Sequence, residues 1–329
     1  MALATRMAPL ATGSDLGGSL RNPAAFCGVV GFRPSPGVVP GPTREMGLLP
    51  LSTSGPMART ARDAALLLSV MSAPDRRDPW SLADRAPIAA HLPAVDLSSL
   101  RWAATEDFGF APTERVVRSV FRDRLARLGT CFEIEEATPD CAGADRIFAV
   151  LRAVGFLGAH HERMDRFPDL VGANVRANIQ EGLGYMATDV AEALAAQSVY
   201  HRAWQAFFES HDFLLSPAIT ISPRNWRELY PIEIDGQETQ SYYHWLALAY
   251  ATTIVGHPSV TIPCGTDANG MPFGLQIVGR RFDDLGVLAV AAELEAVIAA
   301  DEGMRLAPPD LVQLEAAPRL DAVEGFREF

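Results

Sequence analysis

Val117, Phe121, Leu125 and Leu128 recur at helical spacing, so a helix opening at Thr113 turns all four toward one face. Arginines 115, 118, 122, 124 and 127 occupy the rest of that helix and read as a solvated surface, with a basic binding face as the alternative. An earlier helix runs from a Thr60 cap to about Met71, with Asp63 in its first turn. Residues 140–211 are mostly helical, with breaks near Gly155, Pro168 and Gly182, and further helices fall near 240–253 and from Asp284 to about Ala300. Short strand patterns lie between them at 100–105, 131–135 and 213–216. Residues 259–263 and 273–278 form a hairpin through 267–270, where Asn269-Gly270 is the turn signal. Residues 217–237 are a loop rich in proline and polar residues, and 305–329 a loose tail. Alternating helices and strands predict a layered α/β fold.

Composition narrows the function classes. The 329 residues are enough for a large buried core, and 48% hydrophobic with 21% charged residues is ordinary for a soluble globular protein. No apolar run approaches the roughly 18 residues of a membrane span; 246–256 is short, and 287–300 is broken by Glu293 and Glu295. A net charge of −12 argues against nonspecific nucleic-acid binding. Cys27, Cys131, Cys141 and Cys264 show no CxxC spacing and suggest reduced thiols in the cytoplasm. His160-His161-Glu162 lacks the His-Glu-x-x-His spacing of a metal site, so no metal is expected.

The chemistry concentrates near the start. Gly17 and Gly18 precede Ser19, with Asp15 and Arg21 on either side. Paired glycines let successive N–H groups turn into one concavity, which beside a hydroxyl makes an oxyanion hole next to a nucleophile. Asn22 reads as a helix cap and Pro23 as the first helical residue.

The run Gly13-Ser14-Asp15-Leu16-Gly17-Gly18-Ser19-Leu20-Arg21-Asn22-Pro23-Ala24 resembles the glycine-serine signature of the amidase signature family of serine hydrolases. Residues 28–37, 55–64, 256–265 and 272–279 are similar to that family as well. The resemblance implies a mixed β-sheet covered by helices over residues 1–304, followed by a C-terminal tail, 305–329. It also implies carboxamide C–N cleavage through a serine acyl-enzyme. Ser19 would be the nucleophile on the floor of a concave site, and the N–H groups of Leu16, Gly17 and Gly18 the oxyanion hole. Asp15 and Arg21 would hold the loop by charge-assisted hydrogen bonds. Trp226, Tyr230, Tyr242 and Tyr243, with Trp245, are candidates for the substrate pocket, although ordinary packing accounts equally for any one of them. The implied partner is a small-molecule amide, with no cofactor, no direct nucleic-acid contact and no membrane; a homodimer stays open. The amidase component of a tRNA-dependent amidotransferase is the alternative within this chemistry, and a non-catalytic fragment or pseudoenzyme the alternative outside it.

Two features depart from the family pattern. Its members activate the nucleophile with a lysine relayed through a cis-serine, both upstream of the nucleophile, and all 28 basic residues here are arginines. Arginine does not deprotonate. Residues 1–7 read as the interior or end of a helix without a cap. Together these predict an N-terminally truncated amidase with impaired activity. A Ser19–His257 pairing is a minor alternative for the base, and Ser52, Thr53 and Ser54 read as turn residues before Gly55-Pro56.

Overall fold

The computed structural model describes residues 1–81 and 88–319. The first strand, β1 (Leu10–Asp15), leads through a five-residue loop into α1 (Arg21–Cys27), which Gly28 ends in the left-handed conformation at φ 61°. β2 (Val30–Arg33), β3 (Thr53–Ala58) and α2 (Ala61–Met71) follow. Next come β4 (Trp102–Ala104), α3 (Arg115–Leu128), β5 (Ile134–Glu136) and three long helices, α4 (Ala144–Arg166), α5 (Ala173–Gly184) and α6 (Ala187–Ser210). β6 (Phe213–Pro217) precedes a two-residue ladder of β7 (Glu233–Ile234) and β8 (Gln237–Glu238). The chain then forms α7 (Ala247–Val255), the hairpin β9 (Ser259–Thr266) and β10 (Pro272–Gly279), α8 (Asp284–Ala300) and the short α9 (Leu311–Glu315).

The main sheet runs β1-β3-β2-β9-β10-β6-β4-β5. It is mixed, because β4 lies parallel to both β5 and β6 while the other pairs are antiparallel. Successive side chains of a strand point to opposite faces. Phe213 and Leu215 therefore join the core under α2, α3 and α8, whereas Leu214 joins the core under α4, α6 and α7. β1 is the edge strand, and this places the glycine loop at one margin of the sheet.

Several elements differ from the sequence expectation. Gly55-Pro56 is not a turn: it lies in mid-strand, opposite Gly13 and Thr12 of β1. α1 starts at Arg21 rather than Pro23, and its cap position is Leu20, so Asn22 is inside the first turn. β5 starts three residues later than expected, at Ile134. α4 passes through Gly155 unbroken, with Leu49 packed 3.6 Å from where a Cβ on that glycine would stand. Arg124 is not solvated. Its Nε and Nη2 donate to the Cys264 and Thr266 carbonyls at 3.0 and 2.9 Å, which ties α3 to β9. The expected loose tail contains α9, and its last ten residues lie outside the described ones. Residues 1–7 form hydrogen-bonded turns rather than a regular helix.

α8 carries a carboxylate into this frame. Glu295 accepts the Ala61 N–H at 3.1 and 3.0 Å through its two oxygens and so caps α2. Burial raises its pKa from 4.5 to about 7, against the opposing pull of the cap bond and of Arg62. The folded state therefore holds this proton at pH values where the unfolded chain has released it. Stability contributed below about pH 4.5 is lost as pH rises through about 7. Between pH 5 and pH 8 the Glu295→Gln protein should lose on the order of 1–3 kcal/mol less than the parent, measured by urea unfolding. Parallel stability profiles for the two proteins would refute this assignment.

Candidate active site

The glycine loop is shaped by one buried carboxylate. Asp15 accepts the Gly18 N–H at 2.9 Å and the Leu20 N–H at 3.3 Å, which closes the loop over its own side chain. Arg21 answers with Nε and Nη2, both at 3.0 Å, and Arg33 reaches the same carboxylate at 3.3 Å. All three residues are fully buried. Most of the remaining guanidinium donors find fixed acceptors, the buried Arg33 Nε being the exception. Arg21 Nη1 bonds the Ala249 carbonyl, Thr252 Oγ1 and Gln276 Oε1 at 2.9, 2.6 and 2.8 Å, and Arg33 bonds the Asp15 and Leu51 carbonyls. Burial alone would raise the Asp15 pKa, but the charges of Arg21 and Arg33 outweigh it and hold the carboxyl well below the usual carboxylate range. Burial pulls Arg33 down to about 10, which leaves it protonated at neutral pH.

Gly18 sits at φ 107°, and a Cβ there would come 2.5 Å from the Ala249 Cβ. Only glycine meets both conditions. Its N–H is directed at Asp15, which takes it out of the three donors expected at residues 16–18. The N–H groups of Leu16, Gly17 and Ser19 have no acceptor among the described residues. Ser19 stands exposed in the loop. The loop sits on the edge strand, so packing reaches it from one side, through Phe148 and Leu246 against Gly17 and Ala249 against Gly18.

The aromatic candidates divide. The Phe148 ring lies 3.3 Å from where a Cβ on Gly17 would stand and stacks on Tyr250 at 4.3 Å. Tyr243 meets Phe148 edge-on at 5.8 Å, Tyr242 meets Tyr243 at 5.4 Å, and Tyr230 meets Tyr242 at 6.0 Å. Tyr242, Tyr243 and Tyr230 thus form a file of rings leading away from the glycine loop, while Trp226 is exposed with Arg227 over its ring. Phe148 and Ala249 carry no signal in the sequence, since nothing local to either residue points to a loop more than a hundred positions away. His257 is fully buried and stacks on Phe208 at 4.7 Å. Its Nδ1 donates to the Gly279 carbonyl at 2.7 Å, which leaves Nε2 to accept from the Gln205 amide at 2.8 Å. Burial pulls its pKa down to about 4, so it is a neutral core residue and not a base for Ser19.

The mixed α/β fold is shared with the amidase signature enzymes. A bacterial aryl acylamidase of that group superposes with a TM-score of 0.78 at 24% identity, over 90% of this chain and 64% of the other. The chain belongs to the Amidase family, whose model matches residues 1–288. It is 31% identical over 309 residues to an acylamidase of Rhodococcus erythropolis, covering 90% of this chain and 63% of that protein. It is 28% identical over 327 residues to a glutamyl-tRNA(Gln) amidotransferase component of Clostridium acetobutylicum, covering 89% of this chain and 66% of that one. The chain thus spans about two thirds or less of the length of these relatives.

Breaking the charge cluster should be costly. Asp15→Asn leaves two buried guanidinium groups without a counter-ion, and should lower stability by about 3–5 kcal/mol in urea unfolding. A loss below about 1 kcal/mol would show that the cluster does not hold the loop.

Proposed function

We propose that Ser19 is the nucleophile of an amide-cleaving site. Its hydroxyl oxygen attacks the carboxamide carbon, the C–N bond breaks, and the amine leaves with a proton to give a Ser19 ester that water then hydrolyses. The free N–H groups of Leu16, Gly17 and Ser19 are the proposed donors to the tetrahedral oxyanion. Asp15, Arg21 and Arg33 are positioning residues that act through the backbone. Tyr242 and Tyr243 line the approach to Gly17, with Tyr230 and Trp226 farther out. The observation that carries the reading is an exposed serine without a hydrogen-bond partner among the described residues, set between N–H groups that also lack one, in a chain of the Amidase family.

Proton removal from Ser19 is the step this chain serves least. It has no lysine, and His257 is committed to the core. A positioned base contributes about 10²–10⁴-fold, so unactivated amides are proposed to turn over slowly on this chain. Activated esters, whose leaving group needs no proton, still acylate it. The proposed catalytic unit runs over residues 1–304 with a tail after it, and four free cysteines favour a reducing, cytoplasmic setting.

Incubation with a p-nitrophenyl ester should add one acyl mass per chain, mapped by peptide mass spectrometry to residues 16–21, and Ser19→Ala should remove the label. Equal labelling of the Ser19→Ala protein would overturn the assignment. The likeness to an amidotransferase component supports a second reading, in which glutamine is the amide. Glutamine consumption that needs an added partner protein would favour it.

A further inference from the structure

A cavity of about 350 Å³ lies behind the buried charge cluster, between α6, α7 and the loop around residues 48–51. Trp80, Leu49, Leu194 and Ile254 form its apolar wall, Gln197 and Ser198 add polar groups, and its charged lining is Arg202 and Arg281 with His201 beside them. No aspartate or glutamate lines it among the described residues. Many other helix-surface arginines of this chain, whose net charge is −12, are paired, as Arg122 is with Glu106 and Arg146 with Asp189. Arg202 and Arg281 have no carboxylate partner among the described residues, and the Arg281 Nε is buried with no hydrogen bond at all. An unpaired buried guanidinium donor is costly, and an acceptor placed in the cavity would satisfy the Nε of the half-buried Arg281 beside the exposed Arg202.

We propose that this cavity binds a small carboxylate with a compact apolar body, such as an aromatic acid, the carboxylate meeting Arg281 and Arg202 and the body packing against Trp80, Leu194 and Ile254. The volume is at the lower end of ligand pockets, which excludes nucleotide-sized anions. Planar carboxylates suit the guanidinium fork, and the apolar part of the wall suits a carboxylate with an apolar body better than a fully hydrated anion such as inorganic phosphate. Burial and the two neighbouring arginines lower the His201 pKa. The cavity shares two residues with the network beneath the serine loop. Thr253 lines it and accepts from Arg21 at 3.2 Å; Leu51 lines it and gives its carbonyl to Arg33 at 2.8 Å. An occupant therefore touches the far side of the groups that fix the loop, at a place distinct from Ser19. The inference stands on the cavity alone and does not depend on the amide-cleavage reading.

Titration calorimetry on the full chain, at fixed ionic strength, uses benzoate, its neutral isostere benzamide and inorganic phosphate. Benzoate should bind at one site, at least about tenfold more tightly than either of the others. Arg281→Gln should weaken benzoate at least about tenfold, and so should Leu194→Trp, which fills the cavity from an exposed helix position and covers the case in which the arginine variant does not fold. Ser19→Ala should leave the affinity unchanged. Equal binding of benzoate and benzamide, equal binding of benzoate and phosphate, or full affinity in Arg281→Gln would overturn the proposal. Loss of binding in Ser19→Ala with retention in Leu194→Trp would also overturn it, by placing the acid at the serine loop.

Discussion

One carboxylate, buried between two guanidinium groups, organises the glycine loop that carries Ser19. Asp15 ends β1, receives two N–H groups of the loop, and is gripped by Arg21 from α1 and Arg33 from β2. Arg21 carries the connection on to α7 through Ala249, Thr252 and Thr253, and to β10 through Gln276. Gln276 in turn bonds Ser216 of β6 at 2.9 Å. Buried charge is stable only when every donor and acceptor is met. The loop has little freedom as a result, because another path would strip Asp15 of the Gly18 and Leu20 N–H groups and of its arginine partners.

The same constraint explains why Ser19 faces outward. Gly18 turns its N–H inward to Asp15 and needs a positive φ to do so, which pushes the next residue to the outside of the turn. The edge position of β1 leaves that outer side open, while Phe148, Leu246 and Ala249 close the inner side. The file of rings from Phe148 to Tyr230 extends this closed wall. Rigid below and accessible above is the arrangement that the proposed oxyanion site requires, since donors that are already fixed need not reorganise as charge develops.

Local signals survived folding well. α2 with its Thr60 cap, α8 from Asp284 to Ala300 and the β9–β10 hairpin around Asn269-Gly270 all lie where the pattern places them. β3 was hidden because Gly55-Pro56 carries a turn composition. It is held as a strand only by its pairing with β1 on one side and β2 on the other. Gly155 failed to break α4, since a helix of 23 residues packed against α5 and α6 tolerates the modest cost of one glycine. Arg124 left the solvated face expected for it because β9 presents two carbonyls within its reach.

The sequence by itself determined the α/β class, the glycine-serine loop with its flanking Asp15 and Arg21, and the absence of any lysine to serve as a base. These are properties of residue type and short spacing, which carry their meaning without a fold. Only the tertiary structure decided which N–H groups stay free beside Ser19, which rings stand next to Gly17, and that His257 is a core residue. It also decided that Arg21 is completed by Ala249, 228 positions away, and that Arg202 and Arg281 share one cavity with no carboxylate in its lining among the described residues. The reason is the same in each case. Satisfaction of a buried polar group depends on partners that folding alone brings within hydrogen-bonding distance.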